Sequence, residues 1–203
     1  KKKNIIFENV NLKIEKKSKI CILGKTGSGK STFVDLIIGL LKPDNGQILV
    51  DETNIEDTLV SWQKKISYVP QTTFLTDTTI LENITFGIKY SDINFKKLDK
   101  AIKIANLENM INNLPQKLQT KIGERGVMLS GGQVQRLGLA RAFYKDFEIL
   151  ILDESTNALD ENTENEILQD ILKLKTNNIT LFSISHDEKS LSICDNIYEI
   201  KNK

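Results

Sequence analysis

Short apolar runs recur along the chain and are separated by longer segments in which apolar residues lie three or four positions apart. The short runs are typical of buried strands, and the wider spacing is typical of helices with one buried face. The predicted strands are residues 20–23, 48–50, 66–69, 149–152, 179–184 and 197–200. Because helical segments lie between most of these strands, the pattern predicts an α/β fold with a mostly parallel sheet.

Two segments depart from this simple alternation. After a predicted helix over 31–41, Pro43 is the predicted helix stop, and a turn over 44–46 precedes a strand, which predicts a small antiparallel β piece. Helical spacing places Phe33, Ile37 and Leu40 on one face of this first helix, with Val34, Ile38 and Leu41 alongside.

A long helical pattern extends from about residue 72 to residue 143, with Leu98, Ile102 and Ala105 at helical spacing. We interpret this span as a helical lobe inserted into the α/β core. The prediction is one domain over 1–203, with 1–71 and 144–203 as the core and 72–143 as the inserted lobe.

Composition narrows the class of protein. The 203 residues, 39% of them apolar, suffice for one large domain with a buried core. With 28 basic and 27 acidic side chains the net charge is +1, so no strong positive field would recruit nucleic acid, and no nucleic-acid partner is expected. No apolar run approaches the length of a membrane helix. The chain lacks an initial Met, and we expect it to be a fragment of a longer protein.

The two cysteines, Cys21 and Cys194, each lie beside strand-like apolar residues. We interpret them as small buried apolar residues in a reducing compartment, in preference to a disulfide or a metal site.

A glycine-rich loop, GKTGSGKST, lies between the first predicted strand and the first predicted helix. Glycines permit a backbone in which several N–H groups converge on an anion, and the helix N-terminus adds a partial positive charge. In the pattern G-x-x-x-x-G-K-[ST], the lysine reaches the β- and γ-phosphates and the hydroxyl coordinates Mg²⁺. A flexible Gly/Ser turn would not require lysine and then serine at its end. The predicted nucleotide-binding residues are Gly24, Lys25, Thr26, Gly27, Ser28, Gly29, Lys30, Ser31 and Thr32.

An acidic pair, Asp153 and Glu154, follows the apolar run 149–152. Ligands bind at the carboxyl edge of a parallel sheet, where this pair would emerge. We predict that Asp153 holds Mg²⁺ through water and that Glu154 polarises the attacking water. A lone acidic pair would more simply begin a helix, but the phosphate loop upstream favours the site.

The segment LSGGQ, just upstream of the acidic pair, is a second small-residue loop that opens a helix. Between the phosphate loop and the acidic pair, it resembles the signature of ATP-binding cassette (ABC) ATPases. Gln71 in YVPQ resembles the Q-loop glutamine of that family, Asp160 in ALD its D-loop, and His186 its switch histidine.

The resemblance implies an ATPase that uses ATP and Mg²⁺. It implies that Glu154, His186 and Gln71 are catalytic and that Ser31, Gln71 and Asp153 hold the metal. It also implies a head-to-tail dimer with a second copy or a homologous nucleotide-binding domain. In that dimer the signature residues would contact the ATP of the opposite copy; they are Leu129, Ser130, Gly131, Gly132 and Gln133.

The segment Thr120 to Gly126 resembles the X-loop of ABC exporters, whereas SHDE at 185–188 is closer to importers. We expect an exporter domain, with a transmembrane domain on the same chain, at the cytoplasmic face of a membrane, most simply a bacterial inner membrane. The aromatic residue that stacks on adenine in the family would lie before Lys1, and Phe7 matches a core leucine.

The alternative is a cassette ATPase that drives a mechanical partner in DNA repair or translation. The long coiled coil of the DNA-repair type is absent, and translation-type cassettes usually occur as tandem pairs. A GTPase or kinase would share the phosphate loop but not LSGGQ. The sequence leaves lipid-linked sugar, lipid, peptide and drug open as transported substrates.

Overall fold

The computed structural model describes residues 5–126, 128–156, 158–173, 179–185 and 194–201. The strands are β1 (Lys19–Gly24), β2 (Leu49–Val50), β3 (Thr53–Asn54), β4 (Ile66–Val69), β5 (Ile149–Asp153), β6 (Thr180–Ile184) and β7 (Asn196–Ile200). The helices are α1 (Lys30–Ile37), α2 (Leu59–Lys64), α3 (Ile80–Ile84), α4 (Phe95–Ile104), α5 (Glu108–Asn112), α6 (Gly131–Tyr144) and α7 (Glu161–Lys173).

Five strands form one sheet in the order β4-β5-β6-β1-β7, and β1 pairs in parallel with both β6 and β7. Strands β2 and β3 form a separate antiparallel hairpin. Its two turn residues, Asp51 and Glu52, have φ of 49° and 69°, as the tight turns that match strand twist require. The predicted α/β class, with its mostly parallel sheet and small antiparallel piece, is therefore confirmed.

The chain divides into two compact units. The first comprises Lys1–Ile66, Phe147–Asp153 and Asn177–Lys203, and the second comprises Ser67–Asp146 and Glu154–Thr176. The predicted helical lobe over 72–143 falls within the second unit, which also takes α7. A single domain over the whole chain remains a prediction.

Each unit has its own buried side chains. In the first, the central strands are buried along continuous apolar runs, as expected of parallel strands covered on both faces, for example at Ile20, Ile22, Leu150 and Ile151. In the second, α4 packs on α6, and the predicted helical face of Leu98, Ile102 and Ala105 is buried.

Helix α1 ends earlier than predicted. Gly39 has φ of +74°, its N–H donates to the Leu36 carbonyl, and the Leu40 N–H donates to the Asp35 carbonyl at 2.8 Å. These two bonds form a Schellman motif, which terminates a helix at a glycine. The predicted continuation to residue 41 is wrong because apolar spacing persists beyond this stop, and Leu40 and Leu41 are exposed.

The end of α1 is held by the following helix. The buried Trp62 in α2 donates its indole N–H to the Ile37 carbonyl at 2.7 Å, and Gln63 donates to the Ile38 carbonyl at 3.1 Å. These side chains satisfy carbonyls that a helix C-terminus leaves without intrahelical partners.

Among the helices in the described ranges, none combines the length and the apolar character that crossing a bilayer requires.

Candidate functional site

The glycine-rich loop joins β1 to α1 in the first unit. Gly27 and Gly29 have φ of 80° and 107°, a region that side chains with a Cβ rarely adopt. The Phe33 N–H donates to the Gly29 carbonyl at 2.8 Å, which begins α1 directly after the loop. The chain therefore folds here into the strand, loop and helix arrangement that binds phosphate at a helix N-terminus.

The lysine of the loop lies inside it. Lys30 is 9% exposed, and its ammonium donates to the Gly24 carbonyl at 2.7 Å and the Lys25 carbonyl at 3.3 Å. The Ser28 hydroxyl beside it is buried and has no hydrogen-bond partner. Leaving a buried hydroxyl unpaired costs about 1–3 kcal/mol, so a ligand oxygen at this position would stabilise the loop. Lys25, Thr26 and Ser31 are exposed.

Asp153 is the last residue of β5 and is 7% exposed. It is in register with Ile184 of β6, which is in register with Ile22 of β1. Because neighbouring strands lie about 4.8 Å apart, the Asp153 backbone is roughly 10 Å from β1, at the edge where β1 enters the glycine-rich loop.

Asp153 and Ser31 could supply part of the ligand set of a bound Mg²⁺ ion. Mg²⁺ prefers oxygen ligands and usually takes one or two from the protein, keeping waters and phosphate oxygens for the rest. The Asp153 carboxylate and the Ser31 hydroxyl are oxygen donors of that kind. Within the described residues there is no cluster of three or more His, Cys, Asp or Glu side chains, so a metal cage made only of protein is not seen there.

In the second unit, two predicted catalytic residues are in contact. Gln71 donates from Nε2 to the Glu154 Oε2 at 3.0 Å, and the residues are 83 positions apart. Glu154 has φ of +46°, a left-handed conformation that costs a side-chain-bearing residue about 1–2 kcal/mol. Such strain occurs preferentially at functional sites. The Gln71 side-chain NH₂ group also orients the Glu154 carboxylate. The other polar atom of that side chain, the amide oxygen Oε1, is then the atom of Gln71 that could bind a metal.

The signature segment begins α6. Ser130 is the N-cap, its hydroxyl accepts from the Gln133 N–H at 3.3 Å, and the Gln133 side chain accepts from the Ser130 N–H at 2.9 Å. This is a capping box, so both residues have a local structural role besides the predicted ATP contact. A hydroxyl that accepts one hydrogen bond can still donate another. Leu129 lies just before the cap and is partly buried.

The two signature glycines lie against the segment before α7. A Cβ at Gly132 would be 3.1 Å from the Ala158 carbonyl oxygen, whereas one at Gly131 would be 3.9 Å from the Ala158 Cβ. The buried Gln135 accepts the Ala158 N–H at 3.0 Å. Sequence reasoning missed Gln135; the available signal was a glutamine placed between the signature and the buried run of α6.

Asp160 caps α7. Its carboxylate accepts the Thr163 N–H at 3.0 Å, and its carbonyl accepts the Glu164 N–H at 2.9 Å. The hydrogen bonds from Thr163 hold the pKa of the exposed Asp160 carboxyl below its ordinary value. The D-loop role remains a prediction. His186 lies outside the described residues.

A family model described as ABC transporter matches residues 7–157. The chain belongs to the ABC transporter family. The multidrug resistance-like ATP-binding protein MdlA of Buchnera aphidicola subsp. Baizongia pistaciae (strain Bp) is 40% identical over 203 residues, which are 100% of this chain and 35% of that protein. A Staphylococcus aureus (strain NCTC 8325 / PS 47) protein, provisionally named a multidrug export ATP-binding/permease protein, is 40% identical over 97% of this chain and 34% of its own length.

A solved structure of a bacterial Atm1-family ABC exporter with ATP bound is 35% identical, with a TM-score of 0.85. The match covers 91% of this chain and 32% of that one. This ABC ATPase domain is therefore homologous to the ATP-binding components of exporters, and it spans about a third of the length of the relatives described above.

Proposed function

We propose that the chain is the ATP-hydrolysing domain of an ABC exporter. The observation that carries the proposal is the loop over residues 24–31, with its buried Lys30 ammonium and its unpartnered Ser28 hydroxyl. Its backbone and charge suit the phosphates of ATP, and ATP binding is general to the family.

The chemistry assigns separate roles to the acidic pair. Bound Mg²⁺ would neutralise charge on the phosphate oxygens, held by Asp153 and Ser31 with Gln71. Glu154, oriented by Gln71, accepts a proton as the water oxygen attacks the γ-phosphorus and ADP leaves. His186 would assist in placing that water.

The names of the relatives support an exporter over a cassette that drives DNA repair or translation. Those proteins are about three times as long as this chain, and one name combines ATP binding with a permease. We infer a transmembrane domain on the same polypeptide, with this domain at the cytoplasmic face. Two copies would close head to tail around ATP, each Ser130 loop facing the phosphate loop of the other.

The deciding experiment is Glu154→Gln, measured as phosphate release at saturating Mg-ATP. Removing a positioned base typically lowers the rate by about 10²–10⁴-fold, while ATP affinity should be retained. Glu161→Gln, a change of the same chemistry at an exposed helix position, is the matched control and should leave turnover unchanged. Near-normal turnover in Glu154→Gln would remove Glu154 from the mechanism.

A second variant tests the phosphate loop itself. Lys30→Ala should weaken Mg-ATP binding, measured by equilibrium dialysis, because it removes the cation beside the phosphates. Lys100→Ala, at an exposed position of α4, is the control for loss of one positive charge. Equal affinities in these two variants would contradict the loop assignment.

A further inference from the structure

Two thiols that are 173 residues apart in sequence lie in contact in the first unit. Cys21 is the third residue of β1 and is fully buried, whereas Cys194 precedes β7 and is only partly buried. The Cys194 thiol donates to the Cys21 sulfur at 2.9 Å. Disulfide sulfurs are about 2.05 Å apart, so bond formation would require only a small approach.

The backbones that carry these thiols are already paired. The Asp195 N–H donates to the Lys19 carbonyl at 2.7 Å, and the Lys19 N–H donates to the Asp195 carboxylate at 2.8 Å. The parallel register of β1 and β7 begins immediately afterwards, at Ile20 and Asn196. A bond between the sulfurs therefore needs side-chain adjustment rather than movement of a strand.

We propose that Cys21 and Cys194 are a reversible dithiol–disulfide pair, oxidised by low-molecular-weight disulfides of the glutathione class. Cys194 is the entry sulfur because it alone of the two has exposed surface. Cys21 is the resolving sulfur because it lies within contact distance behind it.

The thiol contact also favours the reaction. Hydrogen bonds from Cys194 and Ser183 lower the pKa of the Cys21 thiol, and the same contact raises the pKa of Cys194. The thiolate therefore forms at Cys21, and Cys21 accepts the Cys194 proton across the S–H···S contact as Cys194 becomes the attacking thiolate.

The two steps balance as thiol–disulfide exchange. The Cys194 sulfur attacks the small disulfide, whose S–S bond breaks, and one small thiolate leaves with the electron pair and takes up a proton. The Cys21 thiolate then attacks the Cys194 sulfur and expels the second small thiol. In total the protein loses two hydrogen atoms and the small disulfide becomes two thiols.

The product would tie the strand that enters the phosphate loop to the segment just before β7, the edge strand of the sheet. Because the bond would close most of the chain into one loop, it would strongly restrict the unfolded state. We expect the oxidised protein to melt about 5 °C or more above the reduced protein.

The test treats the folded chain with oxidised glutathione, then unfolds it in denaturant, blocks remaining thiols with iodoacetamide and measures the intact mass. The wild type should lose two hydrogen atoms, acquire no acetamide, yield a Cys21–Cys194 cross-linked peptide and recover fully with dithiothreitol. Cys21→Ser should stop as a glutathione adduct at Cys194, and Cys194→Ser should acquire no glutathione while folded.

A wild type that keeps both thiols available to alkylation after unfolding, or that retains a stable glutathione adduct at Cys194, would overturn the proposal. The wild-type experiment decides the matter by itself if either serine variant fails to fold. Cys194→Ala is a second variant that removes the entry sulfur. Alanine is small and apolar like a buried thiol, so this change replaces the thiol without adding a polar hydroxyl.

Discussion

At the scale of single residues, Glu154 combines a left-handed backbone with a hydrogen bond from a side chain 83 positions earlier. Its type and its place after an apolar strand could be read from the sequence. Its φ of +46° could not, because glutamate does not favour that conformation, and the turn-forming residues beside it, Asp153 and Ser155, do not say which position takes it. The same limit applies to Cys21 and Cys194, whose contact depends on strand pairing that spacing along the chain does not reveal.

The strain at Glu154 predicts an order of stability among substitutions. Glu154→Asn should unfold at a higher urea concentration than Glu154→Gln, because asparagine tolerates left-handed φ better than glutamine does. Glu154→Val should be less stable than Glu154→Asn by about 1–2 kcal/mol, since a β-branched side chain is disfavoured there. Equal stabilities would mean that the backbone at this position relaxes at little cost.

At the scale of elements, one glycine inside α6 fits tightly against a threonine. A Cβ at Gly138 would clash with the Thr73 Oγ1 and would lie 2.8 Å from its Cγ2. Glycine in a helix interior is ordinarily unfavourable by about 1 kcal/mol relative to alanine, so its presence here reflects close packing.

Gly138→Ala should therefore destabilise the protein by about 1–3 kcal/mol. This is the opposite of the usual effect, since alanine ordinarily stabilises a helix interior relative to glycine. Adding Thr73→Ala should recover most of this loss, because both close atoms are removed. Urea unfolding of the two single variants and the double variant measures the coupling. Strict additivity of the two changes would contradict the packing explanation.

The cap of α7 predicts a dependence on pH. Because hydrogen bonds lower the folded-state pKa of Asp160, its stabilising effect is complete above the ordinary value of 3.8 and is lost as pH falls through the lower folded-state pKa. Asp160→Asn keeps a capping side chain without this titration. Below about pH 4 the wild type should lose stability more steeply than Asp160→Asn in parallel urea titrations.

The sequence predicted the positions of strands well where a run of apolar residues was the main signal. The apolar runs located β1, β4, β5, β6 and β7 within one residue at each end. The end of α1 was misplaced because the apolar spacing continued past Gly39, whose left-handed φ sets the boundary. The short β3 was missed because its residues, Thr53 and Asn54, carry no apolar pattern.

At the scale of the whole molecule, the proposed head-to-tail dimer predicts cooperative kinetics. If each Ser130 loop completes the site of another copy, doubling the protein concentration in the dilute range should more than double phosphate release. Ser130→Arg should bind ATP as the wild type does and yet show little turnover. Specific activity that is independent of concentration would contradict the dimer.

The buried indole of Trp62, bonded to the last turn of α1, gives the protein an internal optical probe. It is the only tryptophan in the sequence, and it belongs to the first unit, whereas most of the longer helices belong to the second. Tryptophan emission therefore follows the unit that carries the phosphate loop, while far-ultraviolet circular dichroism is weighted toward the other. Superimposable melting curves from the two signals would show that the units unfold together, and separated curves would give each unit its own melting temperature without any added label.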